Sequence, residues 1–150
     1  AGRPMVGEIN ARFGDPETQV VLPLLASDLT TVMEACIDGT LDKTAVAWRD
    51  EAAVCVVMAA GGYPGEYGKG DAISGLAEAA ATGAMVFHAG TARKDGSVVT
   101  NGGRVLGVTA VDGDVLRAIE KAYAAVRRIK FAGAHYRKDI AHRVMARFKK

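Results

Sequence analysis

Ala53-Val54-Cys55-Val56-Val57-Met58-Ala59-Ala60, followed at once by Gly61-Gly62-Tyr63-Pro64-Gly65, is the stretch from which the fold is read. An eight-residue apolar run holding three valines and closed by a breaker cluster has the length and β-branched content of a buried strand. The same texture continues downstream. Ala72–Ser74, Ala84–Ala89, Ser97–Thr100 and Arg104–Val111 are further strand candidates, separated by Gly75, Asp95-Gly96 and Gly102-Gly103. Asp112 or Asp114 then caps a long helix expected to reach about Ile129, with Val115, Ile119, Ala122, Tyr123 and Val126 on one face. From Tyr136 onward the pattern fits a short strand or turn and a final amphipathic helix.

On the N-terminal side, residues 5–13 read as a strand with two unlike faces. Met5, Gly7, Ile9, Ala11 and Phe13 alternate with Val6, Glu8, Asn10 and Arg12. Side chains alternate across a strand, so Glu8, Asn10 and Arg12 share one face at intervals of about 6–7 Å. Gly14-Asp15-Pro16 stops this strand, and a short helix is expected from Pro16 to about Leu22, broken near Pro23. Ser27 or Asp28 restarts the helix. Leu29, Val32, Met33, Cys36 and Ile37 then follow a 3.6-residue period that Gly39 ends. The polar connection from Asp38 to Thr44 is the candidate boundary between two units.

The chain has 150 residues, enough for one domain or two small units sharing a core. With 49% hydrophobic and 24% charged residues it is too apolar for intrinsic disorder. No apolar run approaches the roughly 18 residues a membrane span needs. The start, Ala1-Gly2-Arg3-Pro4, has neither an initiator Met nor an apolar signal region, and the expectation is the interior of something longer. Cys36 and Cys55 have no metal or redox spacing, which fits reduced cysteines in the cytoplasm. The formal net charge is +2, but nine basic residues and one acidic residue fall between Arg127 and Lys150. Such an end is either a solvated helix face with a soluble tail or a nucleic-acid contact. No RNA-binding aromatic motif or zinc-finger spacing accompanies it, so neither a nucleic-acid nor a membrane partner is expected.

The Glu8-x-Asn10-x-Arg12 face is the most informative local pattern. A carboxylate and an amide oxygen are hard ligands of the kind Mg²⁺ accepts beside phosphate oxygens, and an arginine fork suits phosphate or carboxylate. A half-exposed strand with a polar outer face produces the same spacing. The two glycine clusters, Gly61–Gly65 and Asn101-Gly102-Gly103-Arg104, are likewise either phosphate-binding loops or tight turns between strands. The histidines His88, His135 and His142 form no metal-ligand pattern, and His88, within an apolar strand, fits a hydrogen-bonded core histidine. Cys55 fits packing better than nucleophilic chemistry.

Beyond these patterns, Glu8-Ile9-Asn10-Ala11-Arg12-Phe13-Gly14-Asp15-Pro16-Glu17-Thr18-Gln19 resembles the signature of glycinamide ribonucleotide synthetase, also called phosphoribosylamine–glycine ligase. The resemblance runs on through Ala59–Gly65, Gly70-Asp71-x-Ile73-x-Gly75, Phe87-His88-Ala89-Gly90-Thr91 and Val98–Leu106 to Tyr136-Arg137-Lys138-Asp139-Ile140, in the family's order and over most of the chain.

What the resemblance implies is an α/β (α+β) chain. Residues 1–44 would be the end of an ATP-grasp domain. Residues 45–150 would form a small C-terminal domain of mostly antiparallel strands with a covering helix. The family joins glycine to 5-phosphoribosylamine in purine biosynthesis, hydrolysing ATP and passing through glycyl phosphate. Carried over residue by residue, Glu8 and Asn10 would hold Mg²⁺ or Mn²⁺ beside the ATP phosphates. Arg12 and Asp15 would act on the substrate side, and Asn101, Gly103 and Arg104 would meet the ribose-phosphate end. The N-terminal domain, the lid and most of the ATP-grasp core are expected upstream, so the chain by itself is expected to be inactive. Its first 40 or so residues would then be mobile, docked against a neighbouring chain or paired with a missing segment, and a stable domain would begin near residue 45. A reading from another class is a stand-alone, non-catalytic domain that keeps the fold as an interaction module.

Overall fold

A computed structural model of the chain describes residues 5–7 and 9–148, with the side chains of residues 147 and 148 set aside. In chain order the elements are α1 (Thr18–Leu24), α2 (Leu29–Ile37), a 3-10 turn (Leu41–Lys43), β1 (Ala52–Ala59), α3 (Leu76–Ala80), β2 (Met85–His88), β3 (Thr91–Lys94), β4 (Ser97–Thr100), β5 (Arg104–Asp112), α4 (Val115–Val126), β6 (His135–Tyr136) and α5 (His142–Phe148). Four strands make an antiparallel sheet in the order β2-β5-β1-β6, and β3 and β4 form a separate hairpin. This is the mixed α/β architecture expected, with antiparallel strands and a covering helix.

β1 and β5 pair along their whole length, from Ala52 opposite Asp112 to Ala59 opposite Arg104. Alternation sorts their side chains into two faces. Val54, Val56 and Met58 with Leu106, Val108 and Ala110 point to α4, which answers with Ala118, Ile119, Ala122, Ala125 and Val126, all buried. Burying a side chain of Val or Leu size stabilises by about 1.5–3 kcal/mol, so this layer is the main source of cohesion. Asp114 starts α4 by accepting from the backbone N–H groups of Leu116 (2.8 Å) and Arg117 (3.0 Å). The second face carries Cys55, Val57, Gly107, Thr109 and Phe87 and looks toward α1.

Several expectations change. Residues 5–7 and 9–14 form no strand, and Met5, Val6 and Ile9 are exposed. Their alternation is that of a strand, but among the described residues no neighbour completes a hydrogen-bond ladder beside them. Ala72–Ser74 is not a strand either: Ala72 bridges to Val99 while Ser74 bridges to Lys130, so the segment spans two partners. Pro23 lies inside α1 rather than ending it, because in the last turn its missing N–H removes only one helical bond. α2 forms as expected, capped by Asp28, yet Ala35 is its only buried residue and Ile37 is 84% exposed. Of its apolar stripe, Leu29 and Val32 are half-buried, while Met33, Cys36 and Ile37 face outward. α4 stops at Val126, and the chain turns through Arg127–Ile129. Among the described residues no helix is long and apolar enough to cross a membrane.

Candidate functional site

The second sheet face is only partly roofed by α1, and beside that helix it opens into a cleft of about 520 Å³. Cys55, Val57 and Ala59 of β1 make its apolar floor. Tyr63 and Pro64 stand on one side, from the glycine turn that follows β1. His135, Tyr136, Arg137 and Ile140 come from β6 and its exit, and Pro16 and Arg104 complete the lining. Burial pushes the Cys55 thiol above its usual range, opposed by the Thr109 hydroxyl and reinforced by the charge of Asp15. That suits a packing residue and not a nucleophile, as the sequence suggested.

At this cleft two sequence-predicted residues 89 positions apart meet. Arg104 donates through Nη2 to Asp15 Oδ2 at 2.8 Å and through Nη1 to the Asp15 carbonyl at 3.1 Å. Gln19 Nε2 donates to the other carboxylate oxygen at 3.0 Å, so both oxygens of Asp15 are engaged. The position of Asp15 follows from local structure: the turn at 15–17 leads into α1, whose Thr18 N–H donates to Gly14 O. Both partners of the ion pair are a little over a third exposed, so the pair adds at most about 1 kcal/mol of stability. Its effect is orientation of the Arg104 fork.

The glycines near Arg104 have steric reasons. A Cβ on Gly102 would lie 2.9 Å from Gly90 Cα, and one on Gly103 would lie 2.2 Å from Tyr63 Cδ2. Gly103 therefore lets the Tyr63 ring settle over the β4–β5 connection, while its carbonyl accepts from Ala60 N–H at 2.8 Å. Asn101 is exposed, and its backbone N–H donates to Gly90 O at 2.7 Å. Gly61 packs on Gly133 in the same way, and Gly62 turns with φ +93° where a Cβ would strike the Glu66 carbonyl. Of the two readings of the glycine clusters, tight turns with close backbone approach account for these residues.

The remaining predicted residues are not gathered there. Arg12 is exposed, and among the described residues it donates only to its neighbour's carbonyl, Phe13 O, at 2.8 Å. Asn10 is exposed, and Glu8 lies outside the described residues. No group of three or more His, Cys, Asp or Glu side chains able to hold a metal exists among the described residues. Asn10 and Glu8 are hard oxygen donors, so they fit a Mg²⁺ or Mn²⁺ shell completed by phosphate and by ligands from another segment. His88 is hydrogen-bonded, Nδ1 to Thr91 Oγ1 at 3.0 Å, but exposed, which corrects its expected core position.

Sequence reasoning missed the second arginine of the cleft. Arg137 forms a two-pronged pair with Asp139, Nε to Oδ1 at 2.9 Å and Nη2 to Oδ2 at 2.7 Å. Hydrogen bonding from Arg137, more than any other influence, holds the Asp139 carboxyl down to about 2. The available signal was an arginine and an aspartate two positions apart, bracketing Lys138 beside a strand.

Comparison with known proteins gives these features a family. The model for the C domain of phosphoribosylglycinamide synthetase matches residues 53–143. A phosphoribosylamine–glycine ligase of Synechocystis sp. is 56% identical over 145 residues, covering 96% of this chain and 35% of that protein. The trifunctional purine biosynthetic protein adenosine-3 of Gallus gallus is also 56% identical, over 144 residues that make 95% of this chain and 14% of the larger protein. The crystal structure of phosphoribosylamine–glycine ligase from Thermotoga maritima superposes with a TM-score of 0.73 at 37% identity, over 92% of this chain and 34% of that one. The chain thus spans about a third of the length of its single-function relatives. Since the C-domain match takes in both walls of the cleft and all four strands of the sheet, the chain belongs to the phosphoribosylglycinamide synthetase family.

Proposed function

We propose that this chain is the C-terminal part of an ATP-dependent ligase that joins glycine to 5-phosphoribosylamine through glycyl phosphate, in the cytoplasm. The observation that carries the proposal is the Asp15–Arg104 pair. It brings Asp15 and Pro16, at the end of the signature stretch, and Arg104 of the Asn101–Arg104 loop to one cleft, as a shared substrate site would require. In this reading residues 1–44 end the ATP-grasp domain and residues 45–150 form the C-terminal domain.

Arg104 meets the ribose-phosphate end of phosphoribosylamine, with Asn101 and Gly103 shaping the loop that carries it. Asp15 holds Arg104 in place, and Arg12, on the arm before it, serves the same substrate side. Glu8 and Asn10 hold Mg²⁺ or Mn²⁺, which supplies charge neutralisation during phosphoryl transfer. The apolar floor of Cys55, Val57 and Ala59 keeps water from the reacting carbonyl and strengthens each polar contact above it. ATP is held by the upstream ATP-grasp segment. That segment seats on the exposed apolar surface of α2 and the following loop, where Met33, Ile37, Leu41, Val46 and Trp48 are open to solvent.

Reconstitution tests the proposal. Adding an upstream ATP-grasp segment to this chain should give ATP- and Mg²⁺-dependent formation of glycinamide ribonucleotide, and the chain alone should give none. No ligation in the reconstituted complex, or ligation by the 150 residues alone, would overturn it.

A further inference from the structure

We propose that Arg137 is a second anion anchor of the cleft, and that Arg104 and Arg137 together take the phosphate ester of the phosphoribosyl substrate. The inference rests on the ligase reading for the identity of the substrate, but its geometry stands on its own. The ionisable side chains lining the cleft include Arg104, Arg137 and His135, and among the described residues no carboxylate lines it. The acids that pair with the two arginines are not part of the lining.

Arg137 is arranged like Arg104 although it comes from an unrelated stretch. In each case one carboxylate takes part of the guanidinium and leaves N–H groups over. Asp139 occupies Nε and Nη2 of Arg137, while Nη1 has no protein acceptor among the described residues. Asp15 occupies Nη1 and Nη2 of Arg104 and leaves its Nε. Exposed ion pairs stabilise a fold little, so two of them at one cleft call for another explanation. An arginine fixed by an acid gives up less side-chain freedom when a ligand arrives, and its planar fork matches phosphate oxygens.

The backbone that carries Arg137 is pinned as well. Tyr123, on α4, donates its hydroxyl to Arg137 O at 2.9 Å and accepts from Ile140 N–H at 3.1 Å. The 137–140 turn is thereby tied to the helix that packs on the core face of the sheet. Tyr123 is a positioning residue for Arg137. Asp15 and Asp139 offset much of the charge of the two arginines, but the N–H donors left over on both guanidinium groups, above an apolar floor, suit the anionic oxygens of a phosphate monoester better than a neutral sugar.

The test is made in the complete ligase containing this chain. Arg137→Gln should raise the KM for phosphoribosylamine roughly ten- to a hundredfold, the loss expected for a charge-assisted pair of hydrogen bonds, with the KM values for ATP and glycine unchanged. Arg137→Lys keeps the charge without the fork and should recover only part of the loss. Tyr123→Phe should produce a smaller rise in the same constant. Ribose 5-phosphate serves as a probe that needs no turnover: its Kd, measured by titration calorimetry, should rise in parallel. An unchanged phosphoribosylamine KM and ribose 5-phosphate Kd in folded Arg137→Gln or Arg137→Lys would overturn the assignment. Absence of ligation in the wild-type protein, with ribose 5-phosphate binding still lost on substitution, would sink the ligase reading and leave the phosphate anchor standing.

Discussion

Arg104 and Arg137 share a cleft but were not equally legible. Arg104 follows a glycine pair within a family motif, and that context drew attention to it before any geometry. Arg137 sits among basic residues whose net charge suggested a solvated tail. Only the β6 pairing and the Tyr123 hydroxyl bring it to the cleft. The Asp139 partner makes this placement measurable. Its carboxyl is lowered from 3.8 to about 2, chiefly by the Arg137 hydrogen bonds. A depressed folded-state value means that the stabilisation is fully present above pH 3.8 and is lost as the pH falls through about 2. A carboxyl-carbon NMR titration should therefore place the Asp139 midpoint near 2 in the wild type and back in the ordinary aspartate range in Arg137→Gln.

At the scale of elements, the sequence showed what local chemistry decides and misjudged what depends on partners. β1, β5 and α4 were legible because each carries its own signal: a valine-rich run, a mostly apolar stretch from Val105 to Val111, and a capped amphipathic period. The β3 strand was missed although Asp95-Gly96 marks a two-residue hairpin turn, because Thr91–Lys94 is half polar and reads as loop. Residues 5–13 erred the other way, since alternation describes a strand but cannot supply its neighbour. The Asp114 cap is a clean test of a local signal. Its carboxylate holds two backbone N–H groups at the start of the helix that covers the core. Asp114→Ala should lower stability by about 1 kcal/mol in urea unfolding without changing the denaturant slope.

The whole molecule divides its apolar surface unevenly. The layer between the sheet and α4 is closed, whereas the surface around α2 is open, with Trp48 55% exposed at its border. The sequence could place the stripe on α2 but not its direction, because periodicity says which residues share a face and nothing about what lies opposite. Trp48 is the only tryptophan, so it reports on this surface alone. The emission maximum of the isolated chain should be that of a solvated indole. On adding the upstream ATP-grasp segment it should shift to the blue, and an unshifted spectrum in an active complex would place the docking surface elsewhere.

The pairing of β1 with β5 also bears on how such a chain is made. Ala52 finds its partner only when Asp112 has been synthesised, and the α4 side chains that cover Val54, Val56 and Met58 come later still. Contacts so distant along the chain are slow to close, and a valine-rich strand waits uncovered in the meantime. On the ribosome, the run that defines the fold is thus also its period of greatest exposure to aggregation. A nascent chain halted before Val126 leaves part of that strand without its cover.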